Sequence, residues 1–384
     1  MKHIFLITIL LAGIFSLSAC TSSPDNTLPP APLVKLAPTI QVNKLWSTHV
    51  GRGAGKYYLR LAPTVVGNTV FTVSYDGNIT AVNASNGKII WQVKTGRYLT
   101  SGAGASFGKL FVATGNGGIA ALRQSDGKRL WVTQVSSAIL ATPISYNGIV
   151  LAKSIDGSLT ALSQQDGRQL WRFTQEVPSL ILQASSVPQF AGNLVVAGFA
   201  NGKLAVINSQ SGKPLWVKAM AEPKGTTAIE RMVDIDVNPI VVRGVVYVAT
   251  YQGKIAALDV NSGRLIWQRK VSSYAGIAAD YQKIYLSDAD SHVWAFDQNE
   301  GVPVWRQMKL TGRMITGPAL LGNYVIVADS YGYLHWMSKS TGAFVARNDL
   351  NGSGVLTPPV VSGNTVYVYT KGGDLYAFRR NGGR

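Results

Sequence analysis

From Pro63 onward the chain alternates short apolar runs with pairs of turn residues, and the alternation itself repeats. Ala62–Val66 leads to Gly67-Asn68, Thr69–Tyr75 to Asp76-Gly77, and Asn78–Ala84 to Asn86-Gly87, before Lys88–Lys94 closes the unit. Four such runs joined by Gly and Asn turns predict four antiparallel strands in a meander. Glycine suits these turns because it alone takes a positive φ without steric cost.

The unit recurs about every forty residues, the period of a propeller blade. Its core is Gly, ten residues, Gly, four residues, Trp: Gly77, Gly87, Trp91, then Gly117, Gly127, Trp131, then Gly157, Gly167, Trp171. Gly202, Gly212, Trp216 and Gly253, Gly263, Trp267 follow, and the sixth copy has Ser291, Gly301, Trp305. In the seventh copy Ala346 stands where Trp is expected; the eighth reaches Gly373 and Gly383 and ends at Arg384. The strand missing from the eighth copy is Asn43-Lys44-Leu45-Trp46, ahead of the first. The expected fold is therefore all-β: an eight-bladed β-propeller over residues 43–384, four antiparallel strands per blade. The N-terminal strand pairs with the C-terminal blade, which closes the ring and covers a sheet edge. Each Trp is expected as an apolar wedge between blades.

Ahead of the repeats, residues 1–19 read as a signal peptide: Lys2, an apolar run from Ile4 to Phe15, and small residues before Cys20. This leader resembles a bacterial lipoprotein signal, which implies cleavage before Cys20, acylation of that cysteine, and anchorage in a membrane. Thr21 follows the cysteine, which by the same resemblance implies the periplasmic leaflet of the outer membrane. Residues 20–42 are rich in Pro, Ser, Thr and Asn and read as a partly extended tether.

Composition narrows the chemistry. Lys and Arg number 36 against 19 Asp and Glu, a net charge of +17, yet the basic residues are scattered through turns without interleaved aromatics. That argues against nucleic acid and for a general attraction to anionic surfaces or acidic partners. Cys20 is the only cysteine and the four His are dispersed, so no metal or nucleophile motif is present. Asp288 and Asp290, like Asp234 and Asp236, form short acidic pairs without a full cation loop. No catalytic, cofactor or metal residue is assigned.

The terminal Gly-x-x-x-Trp of each unit resembles the repeat of quinoprotein alcohol dehydrogenases. That family stacks a quinone cofactor against adjacent cysteines, which this chain lacks, so the likeness extends to the scaffold alone. A quinone oxidoreductase, or a glycan-binding lipoprotein using Tyr57, Tyr58 and Tyr331, remains the alternative.

The connectors after Trp171 and Trp216 are longer than the others: 45 residues separate Trp171 from Trp216, and 51 separate Trp216 from Trp267. Strand direction brings both out on one face, side by side. One carries Leu180, Ile181 and Leu182; the other carries Asp234 and Asp236. An apolar patch beside carboxylates on a rigid ring reads as a protein-binding site.

Leader, tether and eight blades together resemble the BamB family of outer-membrane protein assembly factors. The likeness is carried most closely by Val177–Gln183, Ala228–Asp236 and Tyr331–Trp336. It implies a non-enzymatic scaffold, monomeric outside its complex, that docks on periplasmic POTRA domains of the barrel subunit BamA and assists unfolded outer-membrane proteins. Leu180, Leu182, Asp234 and Asp236 match the family's docking positions; where relatives usually carry Arg, this chain has Gln183.

Overall fold

The computed structural model describes residues 28–182 and 186–381. These form thirty-two strands in eight four-stranded antiparallel sheets, arranged as an eight-bladed β-propeller, with no helix among the described residues. Blade one comprises Thr64–Val66, Thr69–Val73, Asn78–Asn83 and Ile89–Lys94, close to the runs read from the sequence. The innermost strand is shorter than expected, three residues in most blades. Innermost strands of neighbouring blades lie against each other, including Thr64–Val66 against Val360–Ser362 where the ring closes.

Closure follows the expected pairing. Val42–His49 is the outer strand of blade eight and pairs antiparallel with Asp374–Arg380, from Val42 opposite Arg380 to His49 opposite Asp374. Bonds between Asn43 and Asn381 side chains (2.8 Å) and from the Asn381 amide to the Gln41 carbonyl (2.9 Å) extend it.

The blades are held by one repeated contact. Each outer-strand Trp lies on the Gly turn of the next blade and donates its indole N–H to a carbonyl there. Trp91 donates to Gln124 (2.9 Å), Trp171 to Ser209 (2.8 Å), Trp305 to Lys339 (2.9 Å), and Trp46 of blade eight to Ala84 of blade one (3.1 Å). The turn must be glycine twice over. Gly167 has φ +77°, and a Cβ there would lie 2.5 Å from the Trp131 ring. Across the sheet each of these Trp faces a small residue, as Ala81 faces Trp91 and Ala161 faces Trp171; Val206 facing Trp216 is the largest.

Blade seven inverts that pair. Trp336, on the third strand, faces Ala346 on the fourth. The large side chain has moved one strand inward, where it is fully buried against Phe378 and Val366 of blade eight, with Ile40 and Val42 packed alongside. The absent Trp is thus replaced by another Trp of the same sheet and by residues of the N-terminal segment.

That segment departs from the tether expectation. Leu28–Gln41 lies along blades six and seven, with Ala31, Leu33, Val34, Leu36 and Ile40 half-buried and its prolines exposed. The Ala31 amide donates to the Thr311 carbonyl (2.8 Å), the Arg313 and Arg347 guanidiniums donate to the carbonyls of Ala31 (3.1 Å) and Val34 (3.0 Å), and the Thr39 amide donates to the Val345 carbonyl (2.9 Å). Its prolines cannot donate, which disfavours a ladder strand, and paired arginines meet its carbonyls instead.

Candidate partner-docking face

The turns between second and third strands and the connectors between blades share one face of the ring. On it the two long connectors are stitched together. The Leu182 amide donates to Asp234 Oδ1 (2.9 Å), and the Val187 amide donates to Asn238 Oδ1 (2.7 Å). The longer connector is plugged into the ring beneath: Ile235 packs so closely on Gly198 that a Cβ there would lie 2.2 Å from its Cγ2.

The sequence predicts an apolar patch beside carboxylates, and the geometry turns the carboxylates inward. Leu180 is 40% exposed, but Asp234 and Asp236 are only 1% and 2% exposed. Asp236 faces inward to partners there, whereas Asp234 takes the Leu182 amide on Oδ1 and buries Oδ2 without a hydrogen bond. Asp236 accepts from Arg60 at 3.0 Å, and the same guanidinium donates to the Asp236 and Tyr274 carbonyls (3.1 and 2.7 Å). Arg60 comes from the connector entering blade one, so it spans the ring mouth. Lys153 ends the second strand of blade three, where it is buried and donates to Ser186 Oγ (2.5 Å) and the Gly198 carbonyl (2.9 Å).

Burial dominates the titration of this cluster. It pushes the Asp234 carboxyl up to about 6, opposed by the Leu182 amide and reinforced by nearby Asp236. It pulls the Lys153 ammonium down to about 8, opposed by Asp236 and Asp234. Gln183 and Cys20 lie outside the described residues.

The profile of the family described as outer membrane protein assembly factor BamB matches residues 43–98, 75–307 and 289–384. A relative of that name from Pseudomonas aeruginosa PAO1 is 45% identical over 377 residues, covering 98% of each chain. That from Escherichia coli K12 is 34% identical over 387 residues, covering 97% of this chain and 99% of its own. This chain belongs to the BamB family. The crystal structure of BamB from Moraxella catarrhalis superposes with a TM-score of 0.82 at 22% identity, over 88% of this chain and 100% of that one. A europium-containing methanol dehydrogenase reaches 0.75 at 15% identity, over 88% and 93%, a likeness of fold alone.

Within this BamB-family scaffold, three residues not assigned to the site from sequence join the face. Lys153 left a signal: the equivalent strand ends are Val73, Ala113, Gly198, Ala249, Ser287, Ala328 and Tyr369, so a charged residue at that inner position was anomalous. Arg60 left none, since its partners lie 176 and 214 residues away. Ile229, on the longer connector, is 62% exposed.

The other sequence candidates are engaged elsewhere. Asp288 Oδ1 caps its own turn through the amides of Asp290 and His292, and its Oδ2 accepts from Trp294 (2.8 Å) and meets His292 Nδ1 (2.9 Å). Asp288, Asp290 and His292 lie close enough to share a cation. The Arg306 guanidinium, 2.6 Å from His292 Nδ1, sets a positive charge against that site. Tyr57 packs edge-on against Tyr75, and Tyr331 lies under the Arg313 guanidinium.

Proposed function

We propose that this BamB-family assembly factor works as a non-enzymatic scaffold. It docks through its two long connectors on a periplasmic POTRA domain of BamA, while acylated Cys20 anchors it at the periplasmic face of the outer membrane. The observation that carries the reading is the bonded pair of connectors. Leu180 and Ile229 are exposed apolar residues on loops whose backbones are tied to each other and to a rigid ring, and such pre-ordering lowers the entropic cost of binding. Gln183 offers a neutral contact where relatives usually carry Arg, so recognition leans on the apolar residues. A sole cysteine also supplies no adjacent pair for a quinone. Outer strands with exposed Ile90, Leu130 and Leu215 support a further role in accepting client strands at blade edges.

Calorimetric titration of the protein with isolated POTRA domains of the same organism tests the docking. Binding by the parent, reduced at least about thirtyfold in Leu180→Glu at unchanged melting temperature, is the expected result. No heat from a folded parent would remove the docking assignment.

A further inference from the structure

We propose that Arg60 and Lys153 are positioning residues for this face: a buried ionic cross-tie over the ring mouth that sets how the connector bearing Leu180–Leu182 is presented. The inference rests on the docking reading above. Two cations and two carboxylates, Arg60, Lys153, Asp234 and Asp236, converge from three separate parts of the chain. Arg60 holds Asp236 and the Tyr274 carbonyl, fixing the longer connector to the segment beyond blade five. Asp234, two residues before Asp236, takes the Leu182 amide. Lys153 holds the far end of the same shorter connector at Ser186. Leu182 and Ser186 are thus gripped from below on either side of Gln183.

Exposure favours positioning over contact. The Arg60 and Asp236 side chains are 17% and 3% exposed, and Lys153 is 3% exposed as a residue. A buried ionic cluster of this kind is a poor source of stability, since apolar replacements of similar volume are commonly neutral or stabilising. What it supplies is uniqueness. Apolar loops can slide over one another at little cost, whereas displaced buried charges lose their partners. The cluster sits where two long loops must hold one arrangement.

The test uses the full chain, with and without the POTRA domain. Amide hydrogen exchange at Leu182 and Val187 is followed in the parent, Arg60→Met, Lys153→Met and the conservative Arg60→Lys, alongside affinity and melting temperature. Arg60→Met should leave the fold intact, accelerate both amides about tenfold or more in the free protein, and weaken binding about tenfold. Arg60→Lys should restore part of each. Unchanged exchange would overturn the cross-tie. Lost affinity with unchanged exchange would make Arg60 a contact residue and overturn it too. Faster exchange with unchanged affinity would keep the cross-tie and sink the docking reading for this face. Should Lys153→Met fail to fold, the Arg60 pair still decides.

Discussion

The seams between blades and the mouth of the ring solve the same problem, holding distant segments together, by opposite chemistry. Seven of the eight seams use an indole on a glycine turn, with one N–H bonded and the rest apolar. The mouth uses Arg60, Lys153, Asp234 and Asp236, and nearby Arg313 with Asp329 at 2.6 Å. Apolar wedges draw stability from area removed from water and tolerate repetition, because blades one to seven offer the same turn. Ionic ties add little net stability but demand particular partners, which suits loops that differ from one another.

This contrast orders the mutational effects. Trp171→Ala should lower unfolding free energy by roughly 3–5 kcal/mol, read from chemical denaturation. Trp336→Ala should cost as much although it departs from the repeat; a small effect would show that the N-terminal segment alone seals the last seam. Arg313→Met leaves Asp329, which is fully buried, without its closest cation, a loss of about 3 kcal/mol. His335 still bonds the Asp329 carboxylate (3.0 Å), which places the effect at the lower end of that class.

The pH dependence comes next. Asp234 is raised from 3.8 to about 6 in the folded protein, so between those values the fold keeps a proton that the unfolded chain has lost. Stability should therefore fall as pH rises through this window. Lys153, lowered from 10.5 to about 8, acts in reverse, and stability should rise as pH climbs above 8. Asp234→Asn keeps an oxygen for the Leu182 amide and should abolish the lower descent, raising stability at pH 7 by on the order of 2 kcal/mol. A descent that persists in thermal melts of this variant would assign it to another group. Smallest is His49→Ala: its contact with Asp374 (2.9 Å) is exposed, and the change should stay within about 0.5 kcal/mol at pH 6.

The fold was legible because its signals are local. Gly87, Gly127 and Gly167 mark turns, alternation marks strands, and Trp46 placed before the first copy announced how the ring closes. Ser291 was legible as a variant of the turn and takes the same left-handed backbone, φ +71°, that glycine holds elsewhere. The candidate docking face was only half legible. Connector length and the apolar Leu180–Leu182 could be read directly, but the side to which Asp236 turns depends on Arg60, which has no sequence relation to it, and Asp234 turns to an amide of the other connector. The segment from Leu28 to Gln41 was misjudged for the same reason: proline content argues for an extended chain, but not for the arginines that receive it.

The amino-acid sequence by itself determined the number of blades, the strand order within each and the point of closure, since turn chemistry and side-chain periodicity act over a few residues and repeat. The tertiary structure alone decided that the connector acids are buried, that Trp336 stands in for the missing wedge, and that the N-terminal segment is held against the ring. Each of those outcomes depends on which groups from distant parts of the chain meet in a space shielded from water, where an unpaired charge or an unfilled gap costs more than any local preference.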